Sequence, residues 1–439
     1  MDTRRRYAIV GTGHRAQMYV EALLGPHADV GELVALCDPN RTRMAFYREL
    51  HGGDLAAYRP DGFDAMLAEQ RVDAVIVTSV DATHAEYVGR ALAAGRDVIC
   101  EKPLTTSAEG LRVVADAVAA SDARLVVTFN YRYSPRNAAV RELVASGAIG
   151  AVTSVHFEWL LDTVHGADFF RRWHREKANS GGLLVHKASH HFDLVNWWIA
   201  DEPLTVSALG GLRFYGAEAA AARGVGGRPV RSHGDPGLAA DPFGIDLAAD
   251  PRLRRLYLDA EAEDGYLRDR DVFTGGISIE DNMAVLVGYR GGAVLSYSLN
   301  AHAPWEGYRV AINGTAGRLE LDVVERAAVA GNGARNAVDP SVAPDGADEG
   351  VRTVGSELVL QRHWEPARRV PLVVDTGAHG GGDPLLLADL FRPDRPADPL
   401  GRAAGWVDGL RAVGVGVAAN RSMVTGEPVR VDALLEVAR

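Results

Sequence analysis

"YAIVGTGHRAQMYVEAL", Tyr7 to Leu23, reads as a buried strand, a tight turn and a helix. The turn is Gly11-x-Gly13-x-x-Ala16. Gly11 permits the sharp reversal, Gly13 lets backbone approach a pyrophosphate, and Ala16 lets helix and strand pack closely. The helix N-terminus then faces the anion, so His14 and Arg15 complete a candidate phosphate cradle.

Outward from this unit the pattern repeats. "ELVALCD", "DAVIVTS", "DVICEKP" and "RLVVTFN" are short apolar runs, separated by amphipathic segments such as "THAEYVGRALAAG". Strand and helix in regular alternation predict a parallel, doubly wound sheet, the Rossmann class of α/β fold. The second strand ends in Asp38, where a carboxylate accepts bonds from an adenosine ribose. That favours NAD, while Arg41 and Arg43 close behind soften the preference against NADP.

After "NYRYSPR" the rhythm changes. "AVTSVHFEWLLD", "NMAVLVGYRGGAVLSYSLNAH" and "YRVAINGTAGRLELDVV" are alternating strands joined by Gly-Gly and Asn-Gly turns. Such turns belong to antiparallel hairpins. The expected architecture is a dinucleotide-binding domain over 1–130 and an α/β domain over 131–439 with a large, open, mostly antiparallel sheet. Residues 216–250 and 329–350, poor in large apolar side chains, are expected to be loop insertions.

Composition narrows the function. The net charge of −11 opposes nucleic-acid or anionic-membrane partners. No stretch is long enough to span a bilayer, and "MDTRRRYAIVGTG" is too short in apolar residues for a signal peptide. The two cysteines, Cys37 and Cys100, end apolar strands and fit buried free thiols, as in a cytoplasmic protein.

Two further stretches carry chemistry. "CEKPL" places Lys102 at the ligand edge of the sheet, where a desolvated amine has a lowered pKa suited to proton transfer. The Lys102–Pro103 bond is a candidate cis peptide. "GGLLVHKASHHFDLVNWW" (Gly181–Trp198) sets His186, His190 and Asp193 at i, i+4 and i+7 of a helix. That spacing fits zinc ligands, proton-handling groups, or structural histidines. No Glu follows His186 as in a zinc-hydrolase helix, and the reading adopted has no metal.

"GTGHRA", "VTSVDATHAEYVGRALAAGRDVICEKPL", "FNYRYSP" and "GGLLVHKASHHFDLVNWW" together resemble the glucose–fructose oxidoreductase/inositol dehydrogenase/MocA family. The resemblance implies Lys102 near a nicotinamide, with Glu101 shaping its loop and Thr78 and His84 flanking it. Asn130 of "FNYRYSP" joins the cofactor-binding set. His190 matches the family's catalytic histidine and Asp193 its final aspartate. His186 stands where relatives carry an aspartate. "HKASHHFD" resembles a divergent branch to which "EDGYLRDRDVF", "IEDNM", "APWEGYRV" and "HGGGDP" also belong. Arg132, Tyr133, Trp173 with His174, Lys187, Asp193 and His379 are the substrate-side candidates.

The implied activity is hydride transfer between NAD(P) and a secondary hydroxyl of a sugar, glycoside or cyclitol. Lys102 and His190 handle the proton, with His186 assisting. Rival readings are glycoside cleavage with tightly bound NAD, a nucleotide-sensing regulator without catalysis, and a zinc hydrolase. A homo-oligomer through the second sheet is expected.

Overall fold

The computed structural model describes residues 4–329, 351–373, 381–394 and 397–436. Six parallel strands form the first sheet: β1 (Arg5–Val10), β2 (Gly31–Cys37), β3 (Ala56–Tyr58), β4 (Ala74–Val77), β5 (Asp97–Cys100) and β6 (Leu125–Val127). Their order is β3-β2-β1-β4-β5-β6. Five match the apolar runs; β3 is three residues of "AAY", too short to stand out in sequence. The strand order reverses between β1 and β4, and a crevice opens there at the carboxyl ends. Gly11, Asp38, Thr78 and Glu101 each directly follow one of these strands and so share that edge. Both cysteines are buried and free.

The second sheet has nine strands: β7 (Val152–Asp162), β8 (Pro203–Gly211), β9 (Asn282–Tyr289), β10 (Val294–Ala303), β11 (Glu306–Gly314), β12 (Gly317–Arg326), β13 (Gly355–Arg362), β14 (Arg368–Val370) and β15 (Val429–Arg430). Only β7 and β10 pair in parallel; the other neighbours are antiparallel. Alternation along β7 sends Val155, Phe157, Trp159 and Leu161 inward. The helix Ala188–Ile199 packs onto them, with His191 stacked on Trp159 at 4.0 Å. The helix Trp406–Thr425 lies beside it. The opposite face is open, with Leu209 and Leu286 exposed.

Two sequence expectations need correcting. The stretch 216–250 is not a plain surface loop, because Ala220, Ile245 and Leu247 are buried. It leads into a docked segment whose Leu253, Leu256 and Tyr257 share a core cluster with Tyr7, Ile9 and Tyr47 of the first domain. The other expected loop, 329–350, lies outside the described residues beyond Val329. "HKASHHFD" also straddles two helices, Leu183–His186 and Ala188–Ile199, rather than lying within one.

Candidate functional site

A cavity of about 560 Å³ runs from the glycine-rich turn to the second-domain helices. At its first end, Gly11 has φ +89°, and a Cβ there would lie 2.4 Å from Ser79 Cα. Only glycine meets both demands. A Cβ on Gly13 would meet nothing within 4 Å, so its backbone is open to a ligand. Tyr47 pins the turn by donating to Gly13 O at 2.7 Å. The Asp38 carboxylate accepts the Thr12 and Asn40 amides at 2.6 and 2.7 Å. Burial raises its pKa, with these amides and Arg43 opposing. The His14 amide donates to Tyr257 Oη at 3.0 Å, and a turn with open space at Gly13 beside an oriented carboxylate fits a dinucleotide. His14 and Arg15 line this end, while Ala16 is buried beneath it.

At the middle, the cis Lys102–Pro103 bond follows β5. Glu101 accepts Arg15 Nε at 2.6 Å and the Tyr19 hydroxyl at 2.7 Å. Burial raises its pKa, but Arg15 and these bonds outweigh it and leave the carboxyl below its usual range. His84 fastens the turn, with ring nitrogens 2.8 Å from Pro103 O and 3.1 Å from Ser79 O. Thr78 donates to Gly11 O at 2.6 Å. Asn130 donates to Asp383 at 2.6 Å, and all three residues line the cavity.

At the far end Gly181, at φ +70°, swings the chain from one short helix into Leu183–His186. That delivers His186 to Lys102: Nζ lies 3.4 Å from His186 Nε2 and 3.3 Å from its carbonyl oxygen. The other ring nitrogen, Nδ1, lies 2.5 Å from Asp81 Oδ2. Burial pushes the Lys102 amine down to about 8, with Asp81 and Glu101 opposing. Burial raises Asp81 well above the carboxylate range, and burial with Lys102 nearby pushes His186 well below the imidazole range. His190 lines the same cavity, its ring 4.6 Å from that of Tyr131. Lys187 also lines it, reaching Tyr131 Oη at 3.3 Å and lying 4.9 Å from the Trp159 ring. Trp173 stacks on His174 at 3.6 Å beside them.

Other candidates lie elsewhere. Asp193 and Arg132 point into the core as a bidentate pair at 2.7 and 2.5 Å, and Arg132 also holds Asp408 at 2.9 Å. Neither lines the cavity, because each satisfies the other's charge in a buried setting. Tyr133 donates to Asp389 at 2.7 Å and is likewise away from it. His379 lies outside the described residues. Among the described residues no three His, Cys, Asp or Glu side chains converge as metal ligands.

Sequence reasoning missed several lining groups. Asp81 stands between Thr78 and His84 in a block already noted, but nothing marks it as the partner of a histidine over a hundred residues away. His165 Nδ1 lies 2.6 Å from Glu306, itself part of "APWEGYRV". Tyr257, Asp264 and Tyr266 come from the docked insertion and line the dinucleotide end.

Residues 5–129 match the description "Oxidoreductase family, NAD-binding Rossmann fold", and 141–431 match "Oxidoreductase family, C-terminal alpha/beta domain". YteT of Bacillus subtilis, which carries only the general designation of an oxidoreductase, is 34% identical across 97% of this chain and 98% of its own. Inositol 2-dehydrogenase of Rubrobacter xylanophilus is 35% identical over 202 residues, 44% of this chain and 52% of its own. Among solved structures, the WlbA dehydrogenase of Bordetella pertussis with NADH and UDP-GlcNAcA superposes with a TM-score of 0.63 at 17% identity, over 97% and 98% of the two chains. That last likeness is one of fold.

Proposed function

The chain belongs to the Gfo/Idh/MocA oxidoreductase family, and on that premise we propose that it oxidises or reduces a secondary hydroxyl of a sugar, glycoside or cyclitol with NAD(P). The observation that carries this is the Lys102–His186–Asp81 chain on the cavity that the glycine-rich turn opens. When bound, the nicotinamide supplies the hydride chemistry. The residues of this chain manage the proton. Lys102 accepts it from the substrate hydroxyl, and His190 orients that hydroxyl from the helix side.

A lysine works as a base only when neutral, and the contacts provide a route. Protonated Lys102 donates to His186 Nε2, and His186 Nδ1–H donates to Asp81. Shifting one proton along each contact leaves Lys102 neutral, His186 protonated on Nε2, and Asp81 as the acid. Net charge is unchanged, so burial does not oppose the shift. His186 thereby does more than replace an aspartate: it connects Lys102 to a buried carboxyl. The test is a dehydrogenase screen of sugars, glycosides and cyclitols with NAD and NADP in parallel. Formation of reduced nicotinamide with a polyol supports the reading; no response from any polyol with either cofactor overturns it.

A second reading rests on His165, which lines the same cavity with buried Glu306 behind it, 2.6 Å from Nδ1. Oxidation followed by elimination and reduction would cleave a glycosidic bond, and it needs a second acid–base group beyond Lys102. Release of an aglycone with no net reduced nicotinamide favours this cycle; stoichiometric accumulation removes it. A homo-oligomer is proposed through the open sheet face, where Leu209 and Leu286 are exposed.

A further inference from the structure

Between β8 and β9 the chain leaves the second domain and lays residues 251–266 against the first. They land on the helix Arg41–His51, which starts three residues beyond Asp38. Asp264 takes Arg43 at both terminal guanidinium nitrogens, at 2.6 and 3.4 Å, and Leu256 O accepts Arg43 Nε at 3.0 Å. The rings of Tyr257 and Tyr266 flank the same guanidinium at 5.9 and 5.5 Å. Glu263 accepts the Arg41 amide at 2.6 Å and the Thr42 hydroxyl at 3.0 Å. Asn40 donates to Ala260 O at 2.9 Å.

Asp38, Arg43 and Asp264 line one end of the cavity. An adenosine 2′-phosphate beside Asp38 would need a cation and helix-terminal amides. Here the nearest buried cation is committed to Asp264, and the helix-terminal amide and hydroxyl are committed to Glu263. The Arg41 side chain is exposed to solvent. The phosphate, with a charge near −2, would also meet Asp38, Glu263 and Asp264 within a Debye length. A ribose 2′-hydroxyl asks only for an acceptor, which Asp38 supplies.

Resting on the dinucleotide reading above, we infer that Glu263 and Asp264 are specificity residues, which occupy the Arg43 guanidinium and the helix-terminal amide and hydroxyl beside Asp38 and so select NAD over NADP. The head of "EDGYLRDRDVF", a stretch with no role in the hydride-transfer reading, thereby acquires one. Selectivity is set by a segment more than two hundred residues beyond the nucleotide strand it acts on.

The experiment is fluorescence titration of the full chain with NADH and with NADPH, which needs no substrate. The chain is expected to bind NADH tighter by roughly a hundredfold or more. Glu263→Gln with Asp264→Asn should raise the ratio of NADPH to NADH affinity about tenfold, through tighter NADPH binding. Adding Arg43→Ala should remove the gain, because Arg43 is the cation released. Equal binding of both cofactors by the unaltered chain overturns the inference. So does an unchanged NADPH affinity in the pair, or a gain that survives Arg43→Ala. If circular dichroism shows the pair unfolded, Asp264→Asn alone carries the test in the same direction. Binding of neither cofactor overturns the dinucleotide reading itself, and this inference with it.

Discussion

The two halves of "HKASHHFD" meet opposite fates. His186, Lys187 and His190 face the cavity, where Lys102 and Asp81 wait on elements of the other domain. His191 and Asp193, a turn away, face the interior: His191 stacks on Trp159 with Nδ1 2.7 Å from Tyr297 Oη, and Asp193 clamps Arg132. Histidine occurs in both halves. What separates them is closure of charge. Burial lifts the Asp193 carboxyl as well, to about 7, but its partner is a guanidinium that does not give up a proton, so the pair is closed. His186 meets an amine and a carboxyl that burial pushes toward their neutral forms, the setting on which the proposed relay rests.

This contrast breaks most readily at Lys102. Lys102→Met should lower kcat about 10²- to 10⁴-fold, the usual span for lost acid–base catalysis, with the thermal midpoint held or raised. A midpoint that falls with the rate would place Lys102 in the structural half. Conversely, Asp193→Ala should cost about 3–5 kcal/mol in denaturant unfolding by stranding Arg132 without its partner. A stable, slow variant would move Asp193 to the chemical half.

Asp81→Asn sharpens the comparison through pH. The amide cannot store the proton that Lys102 hands on, so kcat should fall about ten- to a hundredfold near neutrality. Without the Asp81 charge to hold it up, the Lys102 amine of this variant sheds its proton to solvent from below pH 8, and the deficit should narrow as pH rises through that range; a deficit constant with pH contradicts the relay. The smallest effect belongs to His191→Phe. It keeps a ring against Trp159 and loses the Tyr297 contact, costing about 1 kcal/mol by thermal unfolding with kcat retained.

How far the sequence foretold this depends on the range of each interaction. The glycine-rich turn, Asp38 and Lys102 were legible because each sits at the end of a strand whose apolar run is visible locally. The inward-facing core of β7 was equally plain. The Asp81–His186 contact was not, because it joins the two domains and neither residue's neighbours announce the other. The docked insertion was hidden for another reason. Its stretch 216–250 is rich in glycine and alanine and has the composition of a loop, and its burial comes from a few residues such as Ile245 and Leu247. Helical spacing also overreached for Asp193: it put three polar groups on one face but could not show that Arg132 would claim one of them.

The chain contains only three lysines, Lys102, Lys177 and Lys187, so their amino groups can be followed separately by NMR after selective lysine labelling. A pH titration of the apo chain measures the tuning of Lys102 without knowledge of the substrate. The predicted result is one amine titrating at about 8, a signal absent from Lys102→Met. Titration of Lys102 near the ordinary lysine value, about 10.4, would contradict the claim that this site holds a lysine ready to act as a base.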